Sequence, residues 1–271
     1  MVAGAAVGLV AAVVVGSAGS VVVVASAEVA VARTGKGMTL DELVQQIRQV
    51  HGNALQAVVL YGSAASGEEI AGHSDFNVMV LAESLALPQL RALGQTMRAW
   101  QEAGNPPVLE LTTLEWRASA DIFPMEYADI LERHRVLTGV LPLDGVSVRR
   151  ADLRLQVEQE AMGKLLRLRR GVMVAGTDAE RQRDLLRQSV STLLVIFRAV
   201  LRLDGEVPPK DAQQLIDAVS TRCGFDPEPY QQAAALRRGV ALATKDVEAL
   251  LEGYVAGMTT LVRYLDALDG R

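Results

Sequence analysis

The chain has 271 residues, half of them apolar, a net charge of -5 and one cysteine, Cys223. That length supports one large or two small packed cores, and the composition excludes a disordered chain or a fibre. A lone cysteine excludes an internal disulfide framework and a cysteine zinc site, three histidines argue against a histidine-rich metal centre, and the acidic balance argues against nucleic acid as a partner.

In chain order, the first feature is apolar. Met1 to Ala27 is almost entirely Val, Ala, Gly and Ser, with no charged side chain. It is long enough to span a bilayer, which takes roughly 20 apolar residues. Arg33 and Lys36 follow it, so the positive-inside rule would anchor the chain in the inner membrane with everything after it in the cytoplasm. A signal peptide is the alternative, with Ala25-Ser26-Ala27 as its cleavage site but no basic region before it. A third reading is that the segment is not native: basic residues are mostly arginine, which points to a GC-rich genome, and low-complexity runs of this kind arise when upstream GC-rich DNA is translated. Met38 is then the start, the protein is cytoplasmic, and a membrane is a partner only if residues 1–37 are native.

Met38 is followed by Thr39-Leu40-Asp41-Glu42, a capping box. Leu40, Leu43, Val44, Ile47 and Val50 share one helical face, so a helix is predicted over Leu40 to His51. Ala57 to Tyr61 and Phe76 to Leu81 read as apolar strands. Leu87 to Ala103 reads as one helix, stopped by Gly104 and Pro106-Pro107, and Val108 to Thr112 as a third strand. From about Asp121 only helices are predicted: Arg150 to Ala175, Asp178 to Leu203, Lys210 to Cys223 and Lys245 to Leu268. Asp204-Gly205, Pro208-Pro209 and Asp226-Pro227-Glu228-Pro229 punctuate them. Leu193, Leu194, Ile196, Phe197, Val200 and Leu201 make the second of these the central helix of a bundle. The organisation expected is residues 1–37 as an extension, 38–120 as an α/β part and 121–271 as a helical bundle.

The chemistry concentrates between Tyr61 and Leu81. Gly62-Ser63 follows a strand directly, and glycine there lets the backbone approach a ligand while turn amides face a phosphate. Eleven residues separate Ser63 from Asp75. Asp75 and Asn77 are two apart, so on a strand they share a face that can hold a metal ion against those phosphates. This run, LYGSAASGEEIAGHSDFNVMVL, resembles the nucleotidyltransferase superfamily, whose members include DNA polymerase beta and the aminoglycoside nucleotidyltransferases.

The resemblance implies an α+β fold, a small mixed-sheet nucleotidyltransferase domain followed by an all-α helical bundle. It also implies transfer of a nucleoside monophosphate from a nucleoside triphosphate (NTP), ATP among the candidates, to a hydroxyl on a small molecule or a protein. Asp75 and Asn77 match the positions that bind one or two Mg2+ ions. Glu110, in VLELT, matches the third carboxylate, which completes the site or acts as base. Gly62 and Ser63 match the phosphate turn, and in some members the helical domain lends a basic residue to the triphosphate, for which Lys164, with Arg167 and Arg170 on one helical face, is the candidate; a solvated face shared with Glu158 and Glu160 is the alternative.

Asn77 is the departure, because the family has aspartate there. An amide offers magnesium an oxygen but no charge, so a second reading follows: a weakened nucleotidyltransferase fold that binds nucleotide or a partner protein without turnover. His73 reads as a loop side chain within reach of a phosphate. In the dense stretch from Asp121 to Ile130, Glu126 and Asp129 are candidates to face a cleft. The alternative there is a helix beginning at Pro124 with its acids near the positive end of the dipole.

Overall fold

A computed structural model describes residues 37–65, 76–241, 243 and 246–270. The apolar segment at 1–36 and the loop at 66–75, with His73, Ser74 and Asp75, lie outside the described residues.

The capping box forms as its sequence implies. The Glu42 amide donates to Thr39 Oγ1 at 3.2 Å and the Thr39 amide to Glu42 Oε2 at 2.8 Å, so α1 spans Leu40–His51 and buries Leu43 and Ile47. Strand β1 (Leu55–Tyr61) follows, then β2 (Asn77–Ala82). The single helix expected from Leu87 to Ala103 is two, α2 (Leu87–Ala92) and α3 (Gly94–Glu102), divided at Leu93. Glycine opening the second segment is a poor helix continuer, which accounts for the break. Strand β3 (Leu109–Thr112) leads straight into α4 (Thr113–Ala118), whose capping box, Thr112 with Glu115, the sequence reading passed over. Helix α5 (Pro124–Glu132) starts at the proline, with Glu126 in its first turn.

The strands do not stop at Asp121, which corrects the sequence reading. Residues His134–Gly139 form β4. Its sequence, HRVLTG, is polar and half-exposed, so it lacks the apolar run that marks a buried strand. The sheet has the order β3-β2-β1-β4, with β1 antiparallel to both neighbours and β2 parallel to β3. Gly139 closes β4 at φ 77°, and a Cβ there would run into the carbonyl of Gln56, so close pairing with β1 needs glycine.

Both faces of the sheet are buried. Ala57, Val59, Met79 and Leu81 pack with Trp116, Tyr127 and Ile130 of α4 and α5. Trp116 and Tyr127 stack at 4.4 Å, and the Tyr127 hydroxyl donates to the Trp116 carbonyl. Val58, Leu60, Val78 and Val80 fill the other face; α1 packs on β1 there, and α2 and α3 pack on α1 and on each other.

The helical part comprises α6 (Arg150–Ala175), α7 (Ala179–Leu203), α8 (Ala212–Cys223), α9 (Glu228–Arg237) and α10 (Val247–Asp266). Helix α9 was read as punctuation. Its two prolines, Pro227 and Pro229, start the helix rather than separate helices, because proline fits the first turn, where no intrahelical amide bond is needed. As the apolar stripe implied, α7 is central: Leu193, Ile196, Phe197, Val200 and Leu201 are all buried in one core. Phe197, Phe225, Tyr230 and Tyr254 pack in a chain of ring contacts through that core.

The described residues form one compact unit. The architecture is the α+β arrangement expected: a small mixed sheet with helices packed on it, followed by a helical part. Among the described residues no helix is long and apolar enough to cross a membrane.

Candidate functional site

The end of β1 turns sharply at Gly62. Its φ is 76°, a left-handed conformation that costs other residues about 1 kcal/mol or more. The Gly62 amide donates to the Arg133 carbonyl at 3.3 Å, tying the turn to the start of β4, and its carbonyl accepts from Ala65 in a short 3-10 turn. The Ser63 side chain lies outside the described residues.

What surrounds this turn follows from register. Tyr61 is the partner of Asn77 on one side and of His134 on the other. Paired residues project to the same face, so Tyr61, Asn77 and His134 form one row across three strands. Asn77 closes on the turn: a Cβ placed at Gly62 would stand 3.3 Å from Asn77 Nδ2. The same position lies 3.7 Å from Asp129 Oδ2 of α5. Gly62, Asn77 and Asp129 therefore meet at one point, and any side chain at Gly62 would fill it.

Asp129 is held there by two cations. Its Oδ1 accepts from Arg133 and, at 2.9 Å, from Arg202 of α7. Burial pushes its carboxyl pKa up, but the two guanidinium groups outweigh burial and hold it below the ordinary aspartate value. Arg202 also donates to Glu132 Oε2 at 2.7 Å, and Gln156 of α6 donates to Glu126 Oε2 at 3.0 Å while accepting from the Met125 amide. Helix α5 is thus clamped between the sheet and the helical part. The Tyr61 phenol is pushed up to about 12, first by burial and then by the nearby Glu126 and Asp129, so it stays a hydrogen-bond donor. His134 Nδ1 lies 2.7 Å from the Ile130 carbonyl. A carbonyl only accepts, so Nδ1 carries a proton.

The structure brings together Gly62 and Asn77 of the expected set. Asp75 lies outside the described residues. Glu110 does not join them. It is the register partner of Val80, three residues from Asn77, so strand alternation puts it on the opposite face. There Glu110 Oε2 is buried without a hydrogen-bond partner among the described residues, and burial raises its pKa.

Lys164 is half-buried on α6 with its pKa lowered by burial and by Arg167, against Glu160. Helix α6 reaches α5 through Gln156, and Lys164 is about 12 Å further along its axis. Arg133 and Arg202 were missed: nothing in their spacing marks them, and Arg202 reaches Asp129 only across the fold. Asp129 itself was signalled by the acidic density of its segment.

Of the groups beside the turn, Asp129 Oδ2 can accept a magnesium ion, whereas the Asn77 atom nearest the turn is Nδ2, which donates hydrogen bonds, so Asn77 would bind the ion only with its amide turned to present Oδ1. The described residues alone contain no group of three His, Cys, Asp or Glu side chains able to hold a metal.

No protein-family model matches the sequence, and no curated protein matches it. The structure is similar to that of the spectinomycin adenyltransferase AAD(9) from Enterococcus faecialis, solved with ATP and spectinomycin. The TM-score is 0.54 and the identity 12%, over 81% of this chain and 97% of that one. At that identity the likeness shows the fold alone: the chain shares the fold of that adenyltransferase over most of its length.

Proposed function

We propose that the protein is a magnesium-dependent nucleotidyltransferase that moves a nucleoside monophosphate from an NTP to a hydroxyl acceptor, a small molecule or a protein side chain. The observation that carries this reading is the meeting of the left-handed Gly62 turn with Asn77 in the fold of an ATP-using adenyltransferase. Gly62 lets the backbone approach the phosphates, and Ser63 adds a hydroxyl to a phosphate oxygen. Asn77 orients a phosphate or an ion through its amide. Tyr61, kept protonated, donates a hydrogen bond from the same row. Asp75 and Asn77 would hold magnesium, which neutralises developing negative charge on the transferred phosphoryl group. Asp129, pinned by Arg133 and Arg202, keeps a fixed negative charge beside the turn.

A second reading is favoured by Asn77 itself and by Glu110. With an amide in place of one carboxylate and Glu110 on the other face of the sheet, the site has lost charge that phosphoryl transfer draws on. The protein would then bind nucleotide, or dock a partner, without turnover.

Calorimetric titration with ATP and GTP, with and without magnesium, tests both. Binding is expected to need magnesium and to tighten by about tenfold in Asn77→Asp, the equivalent of one added charge–metal contact. Absence of binding in both forms overturns both readings. Pyrophosphate release on adding a hydroxyl acceptor, spectinomycin being the first to try, selects the enzyme. Binding without release selects the second reading.

A further inference from the structure

The first long helix of the helical part carries two apolar faces. One, with Leu153, Val157, Ala161, Leu165 and Leu168, is buried in the core. The other is Leu155, Met162, Leu166 and Met173, which are 64%, 42%, 43% and 75% exposed. At about 100° per residue these four fall within roughly 40° of one another, on the other side of α6 from the core. Gly171 confirms the orientation. A Cβ there would strike Leu185 of α7, so the core side of α6 is in close contact while the second stripe faces away.

The spacing of that stripe reads the same in both directions: seven, four, seven. A helix with such a pattern matches itself when turned end for end. Leu155 then meets Met173 of the second copy, and Met162 meets Leu166. The flanks match as well. Glu158 and Arg169 lie on the same side of the stripe, and at the same pairing Glu158 stands within one residue, about 1.5 Å along the axis, of Arg169 of the other copy. On the opposite flank Gln159 stands within one residue of Arg170.

The charge of α6 is uneven: its first half carries Arg150 and Arg154 against Asp152, Glu158 and Glu160, a net -1, and its second half Lys164, Arg167, Arg169 and Arg170, a net +4. Glu158 accepts from Arg154 at 3.1 Å within the helix and would share its carboxylate with a cation of the other copy. Side by side in the same direction, two such helices would set like charges level with each other. Turned end for end, they set acid against base.

We propose that this face of α6 is a self-association surface, on which a second copy of the chain packs its own α6 antiparallel about a two-fold axis level with residue 164. The apolar stripe supplies the attraction, and the Glu158–Arg169 pairs, two per dimer, set direction and register.

Sedimentation equilibrium of the full chain tests it. The parent is expected to sediment as two copies. Leu155→Glu is expected to weaken association by about 30-fold or more, as for a buried interface residue, with an unchanged far-ultraviolet circular dichroism spectrum. Glu158→Arg alone is expected to weaken it less, and Glu158→Arg with Arg169→Glu to restore it. Should a stripe variant fail to fold, cysteine pairing decides. Mixed Leu155→Cys and Met173→Cys chains are expected to cross-link to each other, and Leu155→Cys chains not to cross-link among themselves.

A parent that sediments as one copy overturns the proposal and leaves the stripe to residues 1–36 or to another protein. A dimer that survives Leu155→Glu, or Leu155→Cys chains that link to themselves, overturns it too.

Discussion

The helical part and the sheet part spend their buried polar groups differently. In the helical part, buried hydroxyls are matched. Tyr230 donates to the Tyr254 carbonyl at 2.8 Å, Ser189 pairs with the Tyr254 hydroxyl at 3.0 Å, and around them lie aliphatic and ring contacts. In the sheet part, Glu110 Oε2, Thr113 Oγ1, Arg135 Nε and both ring nitrogens of His51 are buried without a hydrogen-bond partner among the described residues. There too, a half-buried carboxylate, Asp129, is held between two arginines beside a left-handed glycine. Unmatched polar groups cost stability wherever they occur. Their concentration around the sheet lowers that part's share of the folding free energy relative to the helical part, and Glu110, on the face away from Asn77, carries that cost outside the candidate site.

The largest effect expected from that contrast is in the helical core. Phe197 is fully buried and touches Phe225 and Tyr230. Phe197→Ala should lower the free energy of unfolding by about 3–5 kcal/mol in urea denaturation.

Next comes the clamp between the two parts. The Arg202 side chain is only 9% exposed and serves both Asp129 and Glu132. Arg202→Met should cost about 2–3 kcal/mol, less than a pair with no remaining partner, because Arg133 still holds Asp129. The pH dependence sharpens the test. Asp129 has its folded pKa depressed below the ordinary 3.8, so its contribution is present above that value and is lost as pH falls through the folded pKa. Stability measured from pH 5 downward should therefore fall less steeply in Arg202→Met than in the parent.

Glu110 should respond with the opposite sign. Burial raises its pKa above the ordinary 4.5, so its contribution is full below that value and is lost as pH rises through the folded pKa. Glu110→Gln should remove that loss and stabilise the protein at neutral pH by about 1 kcal/mol. A gain in stability with nucleotide binding intact fits its place on the face away from Asn77. A loss of binding would show that Glu110 serves the site after all.

The smallest effect concerns His51, whose pKa burial lowers below 6.5. As pH falls below that value, the unfolded chain takes up the proton first and stability drops. His51→Leu should flatten thermal melting profiles between pH 7 and 5 and raise stability by less than about 1 kcal/mol at neutral pH.

Much of this was legible before any coordinates. A cap and periodicity placed α1, and periodicity placed α7, because their signals are local: Thr39 with Glu42, and an apolar stripe through Phe197. The Gly-Ser turn after an apolar strand, and Asn77 opening the next, were likewise legible as one motif. Strand β4 was not, because its identity comes from pairing with β1 rather than from its own half-polar residues. Helix α9 hid behind prolines that serve equally to stop a helix and to start one.

By itself, the sequence determined the fold class, through the motif around the Gly62 turn, and the helices α1, α6, α7, α8 and α10, since these signals depend on neighbours a few positions apart. Only the tertiary structure decided who stands beside that turn. Register sent Glu110 to the far face, and the docking of α5 on the sheet brought in Asp129, seventy-three residues from the Arg202 that helps to hold it. Such meetings depend on strand alignment and helix packing, and no spacing along the chain encodes them.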